Sequence, residues 1–190
     1  MFDILFFITA FTSIRIDIDK KNLNKSRAYL AIPILIYNLY NFCNSKKNLI
    51  EPDANQSSST DLMLAMFISD LILFLKNKTN NYSVYFHHIF CSLCYLISKY
   101  NGTPKIYTLM SFPELMILGS IIKRNYRSIF YILIIFFRYP FWYILFKNYK
   151  KISNNIVSKN ALVGSITMFS LDTYWLLELT KKILDKYSKY

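Results

Sequence analysis

The stretch VYFHHIFCSLCYLI, residues 84–97, decides how the chain is read. It is a continuous apolar run with two adjacent histidines near its start. A helix on the surface of a soluble domain keeps a charged face at a period of 3.6 residues, and this run has none. Blocks of the same kind recur at residues 2–14, 28–42, 62–75, 106–122, 128–146 and 161–179, and polar residues are confined to the connectors. Crossing about 30 Å of hydrocarbon takes about 20 helical residues, with about 17 tolerated. Several blocks are shorter. Snorkelling lysines, interfacial tyrosines and a thin bilayer of the endoplasmic reticulum type would cover the difference. The pattern predicts an all-α, polytopic membrane bundle of about seven transmembrane helices, with six as the alternative if the first block does not span. Because the blocks are continuous and not alternating, they argue against a membrane β-barrel.

Composition agrees. The 190 residues are 54% hydrophobic and 18% aromatic, which leaves little room for a soluble domain beside the bundle, so residues 1–190 read as a single membrane domain. A net charge of +12 raises nucleic acid as a partner. The basic residues, however, sit at block edges and not along one face, as interfacial anchors do, and no nucleic-acid partner is expected. Cys43, Cys91 and Cys94 fall inside apolar blocks and form no even set, which excludes a disulfide framework. The N-terminal block begins with Phe2 and Asp3, has no basic segment and lacks a small-x-small cleavage site, so it is expected to be a retained span.

The connectors read as turns and charge anchors. Residues 15–27 are polar and basic, residues 51–60 (EPDANQSSST) have a loop composition, and Asn101-Gly102 followed by Pro104 is a turn signal. In a seven-span chain the 15–27, 76–81 and 123–127 loops share one side with the C-terminal tail. That side holds more Lys and Arg, which places the C-terminus in the cytosol.

Inside the blocks stand residues that hydrocarbon disfavours. An Asp or Arg at a helix centre costs about 2.5–3.5 kcal/mol, so such groups are expected to face a bundle interior and converge. Asp70 lies in AMFISDLILFL; Lys76 is close enough that an interfacial, outward-pointing acid is the competing reading. His87 and His88 splay by about 100°, so one can face a cavity while the other bonds a neighbouring helix. Glu114 follows Pro113 in LMSFPELMIL, where a proline kink would open room beside the acid. Arg138-Tyr139-Pro140 repeats that pattern with opposite charge, and Arg138 is a counter-ion for a carboxylate or for a phosphate headgroup. Asp172 and Trp175 share a face; if Trp175 is an interfacial anchor, Asp172 lies near the interface too. His87, Cys91 and Cys94, spaced i, i+4, i+7, share a stripe that matches soft-metal ligation. With no second ligand pair elsewhere, the cysteines read instead as small apolar residues, and no metal or cofactor is expected.

Taken in order, Phe67-Ile-Ser-Asp70, His87-His88, Pro113-Glu114, Phe137-Arg138 and Leu171-Asp172-x-Tyr-Trp175 resemble the landmarks of the TLC-domain family. That family includes the ceramide synthases, the translocating-chain-associated membrane protein and the smaller TLCD-type proteins. The resemblance covers residues 25–182. It implies about six core helices around a lipid-accessible cavity, with the histidine pair facing inward. It also implies that His87 or His88 acts as acyl acceptor or general base, with Asp70 or Glu114 orienting the ring. The longer post-histidine signature of ceramide synthases is missing, and Asp172 stands where the family usually has Asn. Both departures place the chain nearer the TLCD-type branch. The function expected is membrane lipid homeostasis through binding or modification of acyl chains, with membrane lipids as partners. The alternative is a sphingoid-base N-acyltransferase using acyl-CoA. A transporter or channel is a third class, opposed by the lack of inverted repeats.

Overall fold

Each apolar block folds as helix, and all but the fifth continue past the block into the flanking polar residues. The computed structural model describes residues 2–18, 23–78 and 81–188. Among these, α1 spans Phe2–Ile18, α2 Leu23–Asn44, α3 Gln56–Lys76, α4 Tyr82–Asn101, α5 Ile106–Leu109, α6 Arg124–Asn148 and α7 Asn155–Tyr187. No strand occurs among the described residues. The ends follow from local chemistry: Asn81 caps α4 by accepting from the Val84 N–H, and Asn154 caps α7 by accepting from the Ile156 and Val157 N–H groups.

The fifth block departs from the kinked helix expected of it. The short α5 gives way to a 3₁₀ segment, Phe112–Ser120. Pro113 stands at the start of that segment and has no N–H to offer an α-helical ladder, while the Glu114 N–H bonds the Ser111 carbonyl in the tighter i→i−3 pattern at 3.0 Å. A 3₁₀ run of this length is uncommon in water-soluble folds and tends to mark a functional or strained stretch.

The packing is a ring. α3 contacts α4, α4 contacts α7, α7 contacts α6, α6 contacts the 3₁₀ segment, that segment contacts α2, and α2 returns to α3. α1 lies outside the ring against α2 and α3. Two apolar clusters hold it together. Met63, Leu64, Met66 and Phe67 of α3 pack with Ile4, Phe11, Ile34, Leu35 and Tyr95. Ile106, Tyr107, Trp142, Leu145, Val157, Ala161 and Met168 form the other.

Among the described residues two helical stretches are long and apolar enough to cross a membrane, Gln56–Lys76 and Tyr126–Lys151. The first, at about 1.5 Å per residue, is about 32 Å long, close to the thickness of the hydrocarbon. The apolar stretches Ile4–Ile16 and Ile106–Gly119 are shorter.

The end of the ring where α4 stops is closed by hydrogen-bonded loops. The Ile106 N–H bonds the Leu49 carbonyl at 2.8 Å, the Asp53 N–H bonds the Thr103 carbonyl at 3.0 Å, and Lys105 Nζ reaches the Ser45 carbonyl at 2.9 Å. Burial presses the Asp53 carboxyl upward, but hydrogen bonds from Ser45, the Asn55 N–H and Gln56, together with nearby Lys47, outweigh it and hold the group below the usual carboxylate range.

Candidate functional site

Four of the polar residues that the blocks carry meet inside the ring, and two further arginines join them. Asp70 comes from the last third of α3 and is fully buried. Its Oδ1 lies 2.5 Å from Arg15 Nη1, and its Oδ2 lies 2.5 Å from Arg27 Nε. Arg27 turns its other edge to Glu114, with Nη2 donating to Oε2 at 2.9 Å. Arg27 thus bridges a carboxylate of α3 and one of the 3₁₀ segment, matching a planar fork to two anions.

The histidine pair closes the loop. His87 Nε2 lies 3.2 Å from Glu114 Oε1, and His88 Nδ1 lies 3.5 Å from Asp70 Oδ2. The splay of adjacent helical positions gives each imidazole its own carboxylate, with the rings 5.1 Å apart. With Nε2–H donating to Glu114, the Nδ1 of His87 is an acceptor, and Cys91 Sγ sits 3.6 Å from it. An imidazole held by a carboxylate is the arrangement used in general acid–base catalysis.

A second ion pair stands beside the first group. Arg138 Nε is 3.2 Å from Asp172 Oδ2, which also accepts from Trp142 Nε1 at 2.5 Å. The Arg138 guanidinium lies 5.7 Å from the Trp142 ring and 5.8 Å from the Trp175 ring, within cation–π range of both. Trp175 connects the two groups: its ring is 5.4 Å from that of His87, and its Nε1 donates to Ser83 Oγ at 3.0 Å. Trp175 therefore points inward, and Asp172 is fully buried, so the interfacial reading of this pair gives way to an interior one.

These groups border two spaces. A cavity of about 360 Å³ is walled by Arg27, Arg127, Arg138, His87, His88 and Glu114, with Phe74, Tyr131 and Trp175 among its apolar lining. A smaller, apolar space of about 40 Å³ lies among Phe67, Phe90, Cys91, Met110, Leu145 and Met168. His87 and Glu114 line both, so the imidazole–carboxylate pair forms the partition between a polar and an apolar compartment.

Asp70, His87, His88, Glu114, Arg138 and Asp172 are all buried and all belong to this assembly. Asp70 does not turn outward toward Lys76. His87, Cys91 and Cys94 share a stripe that lines the smaller space, with Cys94 also close to Gly164 of α7, and among the described residues no group of three or more His, Cys, Asp or Glu is placed to hold a metal ion. As basic residues of a polar connector, Arg15 and Arg27 are expected outside the bundle. The structure instead buries both, at 0% and 7% exposure, because α1 runs one turn beyond its apolar block and α2 begins one turn before its own. Two signals in the sequence pointed to them. Arg15 is on the stripe of Ile4 and Phe11, and Arg27 is on that of Ala31, Ile34 and Asn38, all of them buried. Three interior acids against a single interior arginine also left cations to be found.

No protein-family model matches the chain, and neither the curated proteins nor the solved structures include a significantly similar one.

Proposed function

We propose that this chain is a multi-pass membrane protein of lipid homeostasis that binds an acylated amphiphile within its ring and acts on the acyl group through His87 and Glu114. The observation that carries this reading is the position of that pair, 3.2 Å apart at the partition between the polar and the apolar space. A lipid headgroup and the first carbons of an acyl chain need those two environments side by side, with the reactive carbonyl at their boundary.

The membrane part of the reading draws support from α6. The apolar window of Tyr126–Lys151 has only 22% of its residues buried, so the core of this protein does not cover it. Leu75, Phe136, Phe137, Leu133 and Leu177 are likewise exposed, and so broad an apolar exterior needs lipid or a partner to cover it. Seven helical blocks, a membrane of the endoplasmic reticulum type and a cytosolic C-terminus complete the proposal, and the landmarks shared with TLC-domain proteins favour it.

The chemistry that fits is acyl transfer. An acceptor amine or hydroxyl attacks the acyl carbonyl, its proton passes to the His87 imidazole, the bond to the leaving group breaks, and the proton follows the leaving group. Glu114 stabilises the imidazolium, and Arg27 holds Glu114 in place.

The test is lipidomics on cells expressing wild type or His87→Ala/His88→Ala at equal protein level, with a labelled sphingoid base supplied. A labelled N-acylated product that vanishes in the double variant makes the protein an N-acyltransferase. A shifted phospholipid acyl profile without that product keeps lipid homeostasis and assigns a different acceptor. Identical profiles in every lipid class for both proteins would sink the proposal.

A further inference from the structure

The geometry points to a phosphate subsite at Arg138 inside the 360 Å³ cavity, which makes the ligand a phosphate-bearing amphiphile. This rests on reading the cavity as the chamber for an acylated ligand, and it adds the headgroup class that this reading leaves open.

The argument starts from unmet donors. Arg138 is 2% exposed and lines the cavity. A guanidinium carries five N–H donors. Here Nε sits 3.2 Å from Asp172 Oδ2 as an ion pair without hydrogen-bond alignment. Nη1 lies against Met116 Sδ, and a thioether is a weak acceptor. Nη2 has no hydrogen-bond acceptor among the described residues. Buried donors are seldom left in that state. Asp172, the neighbouring carboxylate, accepts from Trp142 Nε1 through Oδ2, and its Oδ1 has no hydrogen bond to Nη2 or to any other donor among the described residues.

The charge on the cavity wall has the matching sign. Three arginines, Arg27, Arg127 and Arg138, line the cavity with one carboxylate, Glu114, while Asp70 and Asp172, outside that lining, offset Arg27 and Arg138 in part. Arg127, Tyr131 and Arg138 lie on one side of α6 and all line the cavity. The two arginines stand eleven positions apart, about 16 Å along the helix, with Arg127 half-buried and Arg138 almost fully buried. Two cations on one wall raise the local concentration of anions.

Phosphate suits this wall better than a carboxylate. Its tetrahedral oxygens can accept from the Nη1–Nη2 edge of Arg138 and still leave an oxygen facing the other basic side chains. Trp142 and Trp175 flank the guanidinium and hold its plane ready, so little ordering accompanies binding. The volume falls at the lower end of small-molecule sites, about 300–1,000 Å³.

Trp142 and Trp175 are the only two tryptophans of the chain, so intrinsic fluorescence reports directly on Arg138. The full chain in neutral detergent is titrated, at constant ionic strength, with dioctanoyl phosphatidate, dioctanoylglycerol, octanoate and inorganic phosphate. The expected result is a saturable change with phosphatidate at a Kd at least tenfold below that of dioctanoylglycerol or octanoate. Arg138→Gln should raise the phosphatidate Kd tenfold or more, and Arg127→Gln about threefold, with dioctanoylglycerol binding unchanged in both. Arg127 is only half-buried, so its variant keeps the test alive if Arg138→Gln fails to fold. Inorganic phosphate that competes with phosphatidate but binds more weakly places the site on a lipid phosphate; inorganic phosphate that binds as tightly overturns the amphiphile and assigns a soluble phosphate compound. Equal binding of phosphatidate and dioctanoylglycerol refutes the phosphate subsite while leaving the acyl chamber standing. Failure of every acyl probe to bind removes the chamber and the subsite together.

Discussion

Replacing Asp172 by Asn tests whether the interior ion pairs are structural necessities. Asp172 is fully buried, accepts from Trp142 Nε1 at 2.5 Å and faces Arg138 Nε at 3.2 Å. Asn is nearly isosteric and its amide oxygen can still accept from Trp142, so packing and that hydrogen bond survive. The loss is the negative charge opposite a guanidinium that is 2% exposed. Breaking a buried pair from one side typically costs about 3–5 kcal/mol. Arg138 also lines a 360 Å³ polar cavity, which offers it partial solvation, so the expected loss lies lower, at about 2–3 kcal/mol. Because Arg138 carries the penalty, Arg138→Met made together with Asp172→Asn should recover part of it, with a coupling energy of about 1.5–2 kcal/mol. Reversible unfolding in mixed micelles, followed by the fluorescence of Trp142 and Trp175, measures both numbers. A single variant within about 0.5 kcal/mol of wild type, or a double variant additive within about 0.3–0.5 kcal/mol, would refute the reasoning. Either result would mean that water or a bound group, and not Asp172, compensates the Arg138 charge.

Three further outcomes are expected. The Asp53 carboxyl is held below its usual range in the folded protein, so it stabilises the fold above the unfolded carboxylate pKa, about 3.9, and that contribution fades as pH falls through the lower folded value; Asp53→Asn should flatten the acid side of a melting-temperature profile, and an unchanged profile would show that the loop cap is not linked to protons. A Cβ at Gly119 would run into the Tyr131 ring, so Gly119→Ala should displace that ring and cost about 1–3 kcal/mol, as overpacking does, while the same substitution made in a Tyr131→Ala background should cost within about 0.5 kcal/mol of nothing in the same unfolding assay. On the orientation proposed above, a glycosylation sequon appended to the C-terminal tail should stay unmodified in microsomes; modification would invert that orientation.

Arg15 and Arg27 mark where sequence reading stopped short. Their positions on the inner stripes of α1 and α2 are legible, but hydropathy marks only the apolar blocks and leaves both residues in a loop. Helices do not end where hydropathy falls. They end where backbone groups find other partners, and an arginine in the next turn is welcome when Asp70 lies opposite. Moving these two residues inside also removes them from the basic loop that set the orientation, which lessens the charge difference between the two sides. The fifth block teaches the complementary point. Pro113 and Glu114 identified a special stretch, yet only the fold sets Glu114 between Arg27 of α2 and His87 of α4, helices that no local window contains.

By itself, the sequence determined the helical class, the positions of the seven apolar blocks and the identity of most interior polar residues. These follow from hydropathy and from the cost of leaving a charge in an apolar setting, both of which are properties of single residues or short windows. The tertiary structure decided which charge meets which. The pairing of Asp70 with Arg15, Arg27 and His88, of Glu114 with Arg27 and His87, and of Asp172 with Arg138 joins residues up to 87 positions apart. The cavity that they wall exists only once the ring closes, because Coulomb attraction and hydrogen bonding act across space and depend on how the helices are arranged around one another.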